Sequence, residues 1–153
     1  MNQQTLSDIE YSGRRKKTRR EKFLMKMDRC LPWERWVGMI RPLYPSGKRG
    51  RKPKDLQMML RMYCLQEWYS LSGAGVQDAI GDSYAMRTFL HLDFLEEQVP
   101  DATTLLRFRR LIRRNGLDEQ FRAELEAILK EEHLLLKKGA QNEASLIRSA
   151  GRR

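Results

Sequence analysis

Residues 100–117 read PDATTLLRFRRLIRRNGL. Pro100 cannot extend a preceding helix, and Asp101 or Thr103 can cap a new one. Asn115-Gly116 supplies a stop, because glycine adopts the left-handed backbone that ends helices. A helix over 102–114 is therefore expected. With Arg107 at the origin and about 100° per residue, Leu105, Phe108, Leu111 and Ile112 fall within about 40–160°. Arg109, Arg113, Arg110 and Arg114 fall within about 200–340°, and Arg107 completes that arc. One face is apolar and the other is arginine, broken only by Leu106. No acidic residue follows Asp101 on this helix. Like charges at this spacing repel by roughly 0.2–0.5 kcal/mol each, so the face needs a neutralising partner. Nucleic-acid phosphates are one, since arginine binds them bidentately and can also fork onto guanine. The following helix offers another in Glu119, Glu124, Glu126, Glu131 and Glu132. Local chemistry leaves both open.

The charge balance of the whole chain favours a polyanion. Its 153 residues carry 30 Lys/Arg against 20 Asp/Glu. Residues 1–54 hold 16 of those bases and 5 acids, a net of +11, whereas residues 55–153 net −1. The excess is thus confined to the first third. DNA or RNA is the commonest partner of such a segment. Two clusters hold most of it. RRKKTRR contributes Arg14, Arg15, Lys16, Lys17, Arg19 and Arg20, and SGKRGRKPK contributes Lys48, Arg49, Arg51, Lys52 and Lys54. Gly47 and Gly50 in the second cluster let backbone come close to a phosphate.

Outward from these clusters the pattern is helical throughout. Thr18 with Glu21 forms a capping-box signature, followed by Phe23, Leu24, Met27 and Leu31 at helical spacing. Pro32 suits the first turn of a second helix with Trp33, Trp36, Val37 and Ile40 on its buried face; Pro42 and Pro45 end it. DLQMMLRMYCLQEWYSL (55–71) is apolar almost all round and belongs at the centre of a helical core. SGAGVQDAIGDSYAMRTFLHLDFL reads as two short helices broken at Gly81–Ser83, and two glycines weaken the first. DEQFRAELEAILKEEHLLLKKG reads as a last helix with Leu117, Phe121, Leu125, Ile128 and Leu129 inward. The tail from Gly139 loses the helical period, and ASLI suits a short strand. The expected architecture is all-α, six or seven helices with a basic arm (1–17), a helical domain (18–138) and a strand-like C-terminal stub (139–153).

Several functions lack their chemistry here. No apolar run approaches the roughly 18 residues of a membrane span, and the N-terminus has no apolar core of a secretion signal. Cys30 and Cys64 sit in apolar helical patterns and read as reduced core residues. His91 and His133 are isolated, so no metal site is expected. No nucleophile–base pair or glycine-rich phosphate loop after a strand is present. The expected location is cytoplasmic, associated with bacterial DNA.

The segments LYPSGKRGRKP, MLRMYCLQEWYSLS, DAIGDSYAMRTFLHLD and PDATTLLRFRRLI resemble, in order and spacing, the N-terminal domain of bacterial transposases of the insertion sequence five type. The resemblance runs from about Arg15 to Lys138. It implies a helical domain that binds the element's terminal inverted repeats. In the family that domain precedes a ribonuclease-H-like domain which cuts and joins DNA with Mg²⁺ held by an Asp-Asp-Glu triad. Laid on the family's first catalytic strand, GAQNEASLI places Glu143 where the catalytic Asp stands. The sequence ends before the remaining two carboxylates, so the expectation is a truncated chain unable to catalyse transposition, with no cofactor of its own. The arm and the loop would contact phosphates, and Arg107, Arg109, Arg110, Arg113 and Arg114 the groove or backbone. The alternatives are a module that pairs with itself or with full-length transposase and inhibits it, and a decayed fragment with no selected role.

Overall fold

The computed structural model describes residues 16–45, 55–92, 98–139 and 143–149. Among these, seven α-helices precede a two-stranded hairpin. Helix α1 (Arg19–Cys30) starts at a complete capping box: the Thr18 hydroxyl accepts from the Glu21 amide at 3.1 Å, and the Glu21 carboxylate accepts from the Thr18 amide at 3.0 Å. Helix α2 (Trp33–Ile40) passes into a 3₁₀ turn at Arg41–Leu43 around Pro42, which has no amide to continue the ladder. Helix α3 (Leu56–Tyr69) is capped by Asp55, which accepts from the Met58 amide, and ends at Ser70 in left-handed backbone. Helices α4 (Gly73–Asp82) and α5 (Tyr84–Phe89) are capped by Ser72 and Ser83. Helix α6 (Ala102–Arg114) is the arginine helix, with the expected boundaries. Asp101 accepts from the Thr104 amide at 2.8 Å, and Gly116 stands at φ 71° before α7 (Leu117–Glu131).

The last helix is shorter than its sequence pattern suggested. It stops at Glu131, His133 turns the chain at φ 59°, and Leu134–Lys138 becomes strand β1. A leucine run cannot be assigned to helix or strand by periodicity alone. Here the choice is made by a partner: β2 (Ala144–Arg148), the expected strand, pairs with it antiparallel, Leu136 opposite Leu146. The inner face of this hairpin packs on α1 and α7 and buries Ala144. Its outer face leaves Leu135 and Ile147, opposite each other, exposed.

Helix α3 is the axis of the core, with 11 of its 14 residues buried. An aromatic cluster surrounds it. Phe23 of α1 meets Trp68 and Tyr69 edge-on, Trp33 of α2 meets Phe89 of α5, and Trp36 stacks on Phe121 of α7 at 4.7 Å. Glycine has a positive reason in α4. A Cβ on Gly73 would lie 3.2 Å from the Ala102 Cβ, inside normal carbon contact, so the glycine that weakens α4 lets its start meet the start of α6.

One buried charge lies inside this core. Arg61 of α3 is 3% exposed. Its guanidinium donates to the Phe89 carbonyl at 2.8 Å and to Gln57 Oε1 at 3.1 Å, and pairs with Asp28 at 2.7 Å. It also lies over the Trp33 and Phe89 rings, 4.3 and 4.9 Å from their centroids. Arg61→Leu keeps the volume but leaves the Phe89 carbonyl unsatisfied. It should cost about 2–3 kcal/mol in urea unfolding, and Arg61→Lys, which loses the fork and the stacking, somewhat less. A change under about 0.5 kcal/mol for Arg61→Leu would show that this side chain does not hold the helices together.

Candidate nucleic-acid interface

The arginines of α6 divide into two groups. Arg109 is half-buried and faces α3. It donates to Glu67 at 2.8 Å and to Gln66 at 3.2 Å, and its guanidinium lies 5.4 Å from the Tyr63 ring centroid. Arg122 of α7 shares the same carboxylate at 3.6 Å. The neutralising acid is therefore on α3, not among the glutamates of the next helix. Arg107, Arg110, Arg113 and Arg114 are exposed, and among the described residues none of them forms an ion pair.

Two of the glutamates named above, Glu124 of α7 and Glu132 in the turn after it, are engaged elsewhere. Glu124 accepts from Trp36 Nε1 at 2.9 Å and pairs with Arg35; Glu132 pairs with Lys26. The hydrogen bond from Arg35, with those from Trp36 and Gln120, holds the Glu124 carboxyl below its usual range against the opposing effect of burial. These contacts tie α7 and the turn after it to α1 and α2, and among the described residues no acid pairs with the outer side of α6.

The loop residues Lys48, Arg49, Arg51, Lys52 and Lys54 lie outside the described residues, as do Arg14 and Arg15. The loop's anchors are described. Tyr44, two residues before it, meets the Phe108 ring of α6 edge-on at 6.2 Å. Asp55, directly after it, is close enough to Tyr44 to act with burial in raising its phenol pKa. The chain thus enters the basic segment beside the arginine helix. No local pattern signals this proximity, since Tyr44 and Phe108 are far apart along the chain.

The described part of the arm borders a different place. Lys16 and Lys17 line a cavity of about 360 Å³ with Met25, Asp28 and Tyr84. Arg19 and Arg20 line a neighbouring groove with Ser83, Arg87 and Glu143. Glu143, aligned by resemblance with a catalytic carboxylate, pairs with Arg20 at 2.7 Å. Two-metal chemistry needs several converging carboxylates. Among the described residues no three of His, Cys, Asp and Glu come together, and the one carboxylate so aligned faces a guanidinium. These residues do not fit a Mg²⁺ pair. No described helix is long and apolar enough to cross a membrane. Cys64 is buried, Cys30 is half-buried, and neither forms a disulfide.

The described residues thus present one exposed arginine face on α6, with Tyr44 packed beside it. Residues 12–111 match the family described as Transposase domain (DUF772), and the chain belongs to that family. The match takes in the arm from Ser12, the loop, helices α1–α5 and most of α6, and stops before α7 and the hairpin. No solved structure matches the chain.

The division of the arginines gives a measurable contrast. Arg109→Ala should lower stability by about 1 kcal/mol, because Glu67 and Gln66 lose a shared charged donor. Arg110→Ala and Arg113→Ala should change it by less than about 0.5 kcal/mol. Urea unfolding of the three variants checks this, and equal losses would erase the distinction.

Proposed function

We propose that this chain is the DNA-binding part of an insertion-sequence transposase of the insertion sequence five type, and that its target is the terminal inverted repeats of its element. The observation that carries the reading is the exposed set Arg107, Arg110, Arg113 and Arg114, unpaired among the described residues, on a helix against which Tyr44, two residues before the basic segment 46–54, packs. Family membership supplies the class of partner. Arg107, Arg110, Arg113 and Arg114 contact backbone or groove, and Lys48, Arg49, Arg51, Lys52 and Lys54 contact adjacent phosphates. Lys16, Lys17, Arg19 and Arg20, with Arg14 and Arg15, form a second contact at the other basic segment. Arg109 is left out of the set because it braces α6 on α3.

Each phosphate neutralised releases counterions, so affinity must fall with salt. With six or more phosphates engaged, log K against log salt should have a slope of roughly −5 or steeper. The triple variant Arg110→Ala, Arg113→Ala, Arg114→Ala should make that slope shallower by about 3. Fluorescence anisotropy with element-end and random duplexes reads both quantities. Salt-insensitive binding, or equal affinity for the two duplexes at physiological salt, sinks the reading.

Catalysis is not assigned to this chain. The reading here is that it supplies DNA recognition and no strand transfer, because Glu143 faces Arg20 and no carboxylate cluster accompanies it among the described residues. A strand-transfer assay with the chain alone, Mg²⁺ and element-end duplex should give no joined product. A product that disappears in Glu143→Gln would overturn this.

A further inference from the structure

The groove between the start of α1, the α4–α5 turn and the residue preceding β2 has a volume of about 670 Å³. Three guanidinium-bearing residues, Arg19, Arg20 and Arg87, line it, with the hydroxyl-bearing Thr18 and Ser83. Two acids border it, Asp82 and Glu143. Arg20 is held in place from below, its guanidinium 5.1 Å from the ring centroid of buried Tyr69. Its outward side meets Glu143 at 2.7 Å. Both side chains remain partly open to water, 30% and 47% exposed, so the pair can exchange partners. Glu143 is placed by the hairpin: its carbonyl accepts from the Gly139 amide, and Ala144 beside it is buried. The groove adjoins the Lys16 and Lys17 cavity, sharing Tyr84 and Ala85 with it.

A carboxylate on an arginine, in a groove otherwise rich in cations and hydroxyls, occupies the place an anion would take. We propose that this groove is a phosphodiester site, and that Glu143 is its internal competitor: a DNA phosphate displaces the carboxylate from Arg20. The proposal rests on the DNA-binding reading above and adds a residue outside the family match that sets affinity. The hairpin then restrains DNA binding when it is docked, and a phosphate on Arg20 releases Glu143.

The test uses the full chain, a random-sequence duplex and inorganic phosphate as separate probes. Glu143→Gln, which keeps the size of the side chain and removes its charge, should bind duplex roughly two- to five-fold tighter, the range of an exposed ion pair. Arg20→Gln should bind more weakly, with a salt slope shallower by about one. In the Arg20→Gln background, Glu143→Gln should add nothing. Glu126→Gln, the same charge change on exposed α7 surface, should also add nothing. Far-UV circular dichroism checks folding, and Arg20→Met, which removes the charge and keeps a stem to cover Tyr69, replaces Arg20→Gln if the latter unfolds. A gain that persists without Arg20, or that Glu126→Gln reproduces, overturns the proposal in favour of net charge alone. A gain seen with inorganic phosphate and not with duplex overturns the assignment to DNA. If the wild-type chain does not bind duplex, the functional reading fails first; if it binds and Glu143→Gln gains nothing, only this proposal fails.

Discussion

The fold depends on a buried arginine whose partners come from three other helices. Arg61 sits near the middle of α3 at 3% exposure, in a stretch, Met58 to Leu65, whose other residues are apolar or aromatic. A desolvated guanidinium is tolerated only when its donors are satisfied, and here Asp28 of α1, the Phe89 carbonyl of α5 and Gln57 share them. Trp33 of α2 and Phe89 cover its faces. Apolar packing alone is permissive about how helices slide past one another. The fixed fork of Arg61 removes that freedom, because α1, α2 and α5 can satisfy it only at one offset along α3. Trp33 adds a second polar restraint at the same place, donating its indole N–H to the Asp28 carbonyl at 3.1 Å.

From that centre the polar contacts run outward in a way that decides where positive charge is left over. Glu67 takes Arg109 and Arg122, Glu124 takes Arg35, and Glu132 takes Lys26. Each acid joins elements distant in the chain. Residues 55–153 carry nearly balanced charge, yet the balance is not local. Glu124 of α7 and Glu132 in the turn after it compensate bases of α2 and α1, and the outer side of α6 keeps its arginines unpaired among the described residues. A sequence count of charge cannot reveal this, because it depends on which helix faces which.

The legibility of the chain follows the range of the interaction involved. Starts and stops of helices were readable because their chemistry is local. Thr18 with Glu21 closed a capping box, Asp101 capped α6, and Asn115-Gly116 ended it. The buried face of α6 was readable from periodicity, down to the exposure of Leu106 on the arginine side. Three features needed partners remote in sequence and were not readable. Leu134–Lys138 became a strand because Ala144–Arg148 pairs with it. Arg61 entered the core because Asp28 and Phe89 meet it there. Arg109 turned inward because Glu67, on a helix some forty residues earlier, lies opposite it. For the candidate binding residues, charge alone named the set; only the packing separated Arg109 from its four neighbours.

That separation explains how one short helix can serve two ends without conflict. A helix that is arginine on one side and aliphatic on the other would be held only by its apolar stripe, and repulsion along the arginine face would weaken it. Arg109 lies at the border of the two faces. Directed onto Glu67 and Tyr63, it converts one of the repelling charges into a clamp on α3 and lowers the charge the outer face must carry. Phe108, the neighbouring residue, packs on Tyr63 from the same side and on Tyr44 from the other, so the clamp and the anchor of the basic loop meet at one turn of α6. The position of Tyr44 relative to the remaining arginines is thus set by aromatic packing beside one ion pair. A basic surface assembled this way is preorganised, so a polyanion that binds it need not meet the entropic cost of ordering α6.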